Sequence, residues 1–91
     1  MRRKTLKVIN PLGFHARAAA KFVAEASRFD SKITVVFKDK EMDGKSILGL
    51  LLLAALLGGS IQVRAEGRDE LAAIRALTAL VTSGFGETAR S

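Results

Sequence analysis

The chain's one histidine, His15, stands in the segment Asn10-Pro11-Leu12-Gly13-Phe14-His15-Ala16-Arg17-Ala18. Asn10-Pro11 and Gly13 mark a loop, and an apolar stripe with helical spacing begins only after His15. The spacing therefore predicts His15 at the entrance of a helix, close to its N-cap. The first turn of a helix has backbone N–H groups without intrahelical partners and a partial positive charge. Such donors bind phosphate oxygens, and the same field opposes a positive charge on the ring. A neutral imidazole placed there can accept a phosphoryl group, which the helix amides and Arg17 would then hold. The plainer alternatives are a surface or capping histidine and a solvated Arg17, and the residue types alone leave these open.

Ser46 is the second position of chemical interest, because it directly precedes the apolar run Ile47 to Leu57. A serine in that place is first of all a helix N-cap. A phosphate carried on it would sit at a helix N-terminus, where negative charge is tolerated.

These residues need elements to position them. Four short segments alternate apolar and polar residues with period two, the pattern of a sheet buried on one face. The first holds Leu6 and Val8, and the second Ile33, Val35 and Phe37. The third is short, around Met42, after a turn at Lys38-Asp39-Lys40. The fourth points Ile61, Val63 and Ala65 inward, with Gln62 and Arg64 outward. Between them, Ala19, Phe22, Val23, Ala26 and Phe29 trace one helical stripe, and Leu71, Ile74, Leu77 and Val81 another. Asp69 is the expected N-cap of the latter and Gly84 its stop. Ile47 to Leu53 reads as a short helix capped by Ser46, since leucine dominates over β-branched residues. The expected fold is α+β: an open-faced sandwich of order β-α-β-β-α-β-α, with all helices on one side of an antiparallel sheet.

Composition narrows the function classes. The 91 residues suit one domain spanning 1–91, with room for a two-layer core and none for a large internal cavity. There is no cysteine, which fits a reducing cytoplasm and excludes disulfides and thiolate metal sites. Met1-Arg2-Arg3-Lys4 is followed by alternating residues rather than a signal peptide's apolar stretch. The longest apolar run is too short to span a bilayer, so a soluble protein without membrane insertion is expected. Fifteen Lys and Arg against nine Asp and Glu give +6, favouring negatively charged partners. The basic residues form no block, and five Phe without Tyr or Trp argue against a nucleic-acid binder. No metal-ligand cluster, nucleotide loop or paired-carboxylate site accompanies His15, so no metal or cofactor is expected.

Gly13-Phe14-His15-Ala16-Arg17-Ala18-Ala19 resembles the active-site segment of the histidine-containing phosphocarrier (HPr) family of the bacterial phosphoenolpyruvate-dependent phosphotransferase system. Gly44-Lys45-Ser46-Ile47-Leu48-Gly49-Leu50-Leu51 resembles that family's regulatory-serine segment and second helix. Their separation also matches, and the element order covers nearly the whole chain. The resemblance implies that Nδ1 of His15 accepts phosphate from phospho-Enzyme I and yields it to sugar-specific enzyme II components. It implies further that Ala16 and Arg17 hold the phosphoryl group, and that Ala16, Arg17, Ala20, Ile47, Leu48 and Leu51 form the docking surface. In Gram-positive relatives a dedicated kinase phosphorylates the serine corresponding to Ser46. Such a protein is a monomeric carrier rather than an independent catalyst. Two alternatives remain within the resemblance: the nitrogen-related regulatory branch of the same system, and a binding module controlled through Ser46. The chain departs from the family at Ala18, where proline is common, at Phe14, where a smaller aliphatic residue is usual, and across the very apolar Leu52 to Leu57.

Overall fold

Alternation of side chains builds the sheet. In β2 (Lys32–Phe37) Ile33, Val35 and Phe37 are buried, and in β4 (Ser60–Glu66) Ile61, Val63 and Ala65 are. β1 (Arg2–Lys7) buries only Leu6, and β3 (Lys40–Asp43) only half-buries Met42. This computed structural model describes residues 1–8, 15–54 and 59–86. The strands form one antiparallel sheet in the order β1-β4-β2-β3. Leu6 lies opposite Ile61, Val35 opposite Val63 and Ile33 opposite Ala65, so the inward residues line up in rows across the strands.

That order requires two crossovers. β1 and β2 run parallel with β4 between them, and β3 and β4 run parallel with β2 between them. Neither pair can be joined by a hairpin, so a helix must span each gap. The first is α1 (Ala16–Ala26) and the second α2 (Ile47–Ala54). The last helix, α3 (Glu70–Thr82), covers β1 and β4, while α1 lies between α2 and α3. Leu50 and Leu53 of α2 join Phe22, Ala26, Leu77 and Val81 in the core beneath the helices.

Two close approaches set the ends of these helices. Gly44 is packed on Ile33: a Cβ there would come within 2.5 Å of the Ile33 Cγ2. Gly67, in a left-handed conformation with φ of 155°, leaves no room for a Cβ beside Ser31. α3 stops where Gly84 (φ 67°) turns left-handed, as expected for its stop signal. Phe85 follows with φ 60° and is buried, and Lys21 Nζ donates to its carbonyl at 2.7 Å.

Several boundaries differ from the expectation. Val8 lies just beyond β1, and Phe29 just beyond α1; both are half-buried against the core. Lys40 already belongs to β3, so the turn is confined to Lys38 and Asp39. Leu71 is exposed, and Ala73 takes the buried place in the stripe. Asp69 occupies the N-cap position of α3 but caps no amide of that helix. Its carboxylate accepts instead from the N–H groups of Asp30 (2.8 Å) and Ser31 (3.0 Å) and from the Ser31 hydroxyl. Three donors from another segment outweigh one local amide.

Candidate functional site

His15 is the N-cap of α1, with extended backbone (φ −68°, ψ 177°). Its carbonyl accepts the first ladder bond, from Ala19 N–H at 2.9 Å. Its Nδ1 accepts the N–H of Arg17 at 3.2 Å. A ring nitrogen that accepts must carry a lone pair, so this contact selects the form with the proton on Nε2. The ring is half-buried, and Ala16, Arg17 and Ala20 are exposed on the same helix. Ala18, at the third helical position, is fully buried. The loop signals Asn10-Pro11 and Gly13, and the departure at Phe14, lie outside the described residues.

Ser46 caps α2 as expected. Its Oγ accepts from Gly49 N–H at 3.0 Å and its carbonyl from Leu50 N–H at 3.1 Å. The turn before it is held by Asp43, whose Oδ1 accepts from Lys45 N–H at 2.9 Å and whose carbonyl accepts from Ser46 N–H at 3.1 Å. Lys45 Nζ donates to the carbonyl of Phe29 at 2.7 Å, just past the end of α1. Ser46 is thereby tied to the opposite end of α1 from His15. An eleven-residue helix is about 16 Å long, so the two positions do not form one cluster.

What joins them is the surface of the α1–α2 pair. Ile47 is 44% exposed and Leu48 70% exposed, while Leu51 is half-buried. Leu52, 61% exposed, extends the apolar patch. Sequence reasoning passed over Leu52, although its i+4 spacing from Leu48 was the signal that could have found it. Residues 55–57 of the apolar run lie outside the described residues. Among the described residues no group of His, Cys, Asp and Glu is arranged to hold a metal ion.

Comparison with known proteins follows the same lines. Residues 2–83 match the family model described as the phosphotransferase-system HPr component phosphorylation site. The phosphocarrier protein HPr of Neisseria meningitidis serogroup A is 46% identical over 87 residues, covering 96% of this chain and 98% of its own. The phosphocarrier protein NPr of Shewanella violacea is 42% identical over 84 residues, covering 92% of each. The crystal structure of HPr-C-His from Thermoanaerobacter tengcongensis superposes with a TM-score of 0.91 at 43% identity, covering 97% of this chain and 99% of that one.

Proposed function

This chain belongs to the HPr family of phosphotransferase-system phosphocarriers, and from that premise we propose that His15 carries the phosphoryl group. It takes the group from phospho-Enzyme I and yields it to sugar-specific enzyme II components. The observation that carries this reading is the ring at the N-cap of α1, with Nδ1 3.2 Å from the Arg17 N–H. For Nδ1 to attack phosphorus it must release that N–H. The Nδ1–P bond then forms as the donor's bond to phosphorus breaks, and the ring keeps its proton on Nε2. A phosphoryl oxygen can take up the Arg17 N–H that Nδ1 released, so the helix loses no cap. The first-turn amides of Ala16 and Arg17 and the exposed guanidinium of Arg17 stabilise the added charge.

Ala16, Arg17, Ala20, Ile47, Leu48 and Leu51 form the surface on which partners dock. Five of them are exposed and Leu51 is half-buried on two adjacent helices, which supports this, with an apolar centre beside a cation. Ser46 is a regulatory phosphorylation site for a dedicated kinase, acting through that surface. The likeness to an NPr at 42% identity favours a second reading, the nitrogen-related branch, which uses the same His15 chemistry.

The test is incubation with Enzyme I and phosphoenolpyruvate, followed by phosphosite mapping. One acid-labile, alkali-stable adduct on His15 is expected. Undiminished phosphorylation of His15→Ala overturns the assignment. Comparing transfer from the Enzyme I of each branch separates the two readings.

A further inference from the structure

β1 forms one edge of the sheet and reads Arg2-Arg3-Lys4-Thr5-Leu6-Lys7, without a carboxylate. Its cations are unevenly neutralised. The ammonium of Met1 and the guanidinium of Arg2 both approach Glu70, at 3.2 Å and 3.9 Å. Arg3, Lys4 and Lys7 make no ion pair among the described residues. Arg3 is registered opposite Arg64 of β4, a like-charge pair that weakens the strand contact. Arg64 is engaged elsewhere: its Nε donates to Gln62 Oε1 at 2.7 Å, and its Nη1 lies 3.6 Å from Glu41.

Because Leu6 is buried on the helix side, Arg3, Thr5 and Lys7 share the open face of the sheet. Four residues of strand place Arg3 and Lys7 roughly 13 Å apart. The result is a pair of solvated cations, Arg3 and Lys7, along the open side of the edge strand, with exposed Met1 and Glu66 at its beginning. It lies at the far edge of the sheet from β3, against which α2 packs. The pair is therefore separate from Ile47, Leu48 and Leu51.

We propose that this strip docks the protein on the anionic plane of a lipid bilayer. Charged edge residues also discourage strand pairing, but that function does not require both unpaired cations of the open side, Arg3 and Lys7, to face the same way. The surroundings favour lipid over single-stranded nucleic acid. Of the described aromatic residues, Phe22, Phe37 and Phe85 are buried and Phe29 is half-buried, so no ring is offered to a base. Long, flexible cationic arms on a flat strand suit headgroup phosphates spread over a plane, and each such cation strengthens adsorption about fivefold. Adsorption requires no spanning helix, and no described helix is long and apolar enough to cross a membrane.

Co-sedimentation at low salt with vesicles of phosphatidylglycerol and phosphatidylcholine, and with phosphatidylcholine alone, tests the proposal. The protein should sediment only with the anionic vesicles. Arg3→Gln with Lys7→Gln should weaken binding about 30-fold without lowering the melting temperature, since it removes the Arg3–Arg64 repulsion. Lys38→Gln with Lys40→Gln, an equal change of charge at the β2–β3 hairpin, should weaken it less than about threefold. Each of four results overturns the proposal: no binding to anionic vesicles, equal binding to neutral ones, equal losses in both double variants, or displacement of the vesicles by duplex DNA at equal phosphate.

Discussion

His15 and Ser46 cap their helices in the same manner, yet modification would affect the two caps differently. The acceptor at α1 is Nδ1 itself, 3.2 Å from the second amide of the helix. A phosphoryl group on Nδ1 removes that acceptor and must replace it with one of its own oxygens. The acceptor at α2 is a hydroxyl oxygen, 3.0 Å from the third amide, and a carboxylate of similar reach can stand in for it. Ser46→Asp should therefore keep its cap and suit the helix dipole. A melting curve within about 0.5 kcal/mol of wild type is expected, as for an ordinary surface substitution. Transfer from Enzyme I should nevertheless slow at low salt, because the new charge adjoins Ile47 and Leu48 and would meet an acidic partner. Since Lys45 ties this position to the far end of α1 from His15, the slowing should appear in KM rather than kcat. Equal rates at low salt would refute the electrostatic argument.

Among the elements, a helix start is a statement about particular amides. The first ladder bond of α1 runs from Ala19 N–H to His15, so the N–H of Ala18 precedes the ladder. Proline at position 18 removes no ladder bond, and the interior penalty of about 3 kcal/mol should not apply. Ala18 is fully buried, however, and the added ring must fit among its buried neighbours. Ala18→Pro should cost less than about 2 kcal/mol and leave transfer from Enzyme I intact. A larger loss on a denaturant curve would show that the buried surroundings of Ala18 do not accommodate the ring. The cap at His15, the cap at Ser46 and the stop at Gly84 were all legible from local signals: loop residues before His15, an apolar run directly after Ser46 and a glycine at the end of a helical stripe. The left-handed turn at Lys38 (φ 56°) was not, because no glycine or asparagine marks it. Asp69 was legible as a position and misread as a contact, since its partners are 38 and 39 residues away in sequence.

For the whole molecule, that long-range contact decides how the layers are held. Alternation and helical spacing revealed the strands, the helices and the inward residues, but the strand order depends on crossovers that periodicity does not encode. Ile47 and Leu48 are exposed and Leu51 half-buried, and Leu52, exposed beside them, was not singled out in the sequence because eleven apolar residues in a row blur the helical period. Asp69 joins the α1–β2 connection to the start of α3, and Gly67 lets the two segments approach. The hydrogen bond from the Ser31 hydroxyl, followed by that from Asp30 N–H, holds the Asp69 carboxyl below the usual carboxylate range, against a smaller opposing effect of burial. Glu70 is lowered likewise, first by the Gly67 N–H and then by the N-terminal ammonium. A carboxylate whose folded-state pKa is depressed contributes stability above its unfolded value, near 4. That contribution disappears as the pH falls through the folded value. Asp69→Asn should therefore be less stable than wild type at pH 7, and the two stabilities should converge as the pH drops below about 4. The variant should keep a shallower acid slope that belongs to Glu70. Urea melts of both proteins from neutral to strongly acidic pH measure this. A gap between them that stays constant throughout would show that Asp69 acts through packing rather than through its charge.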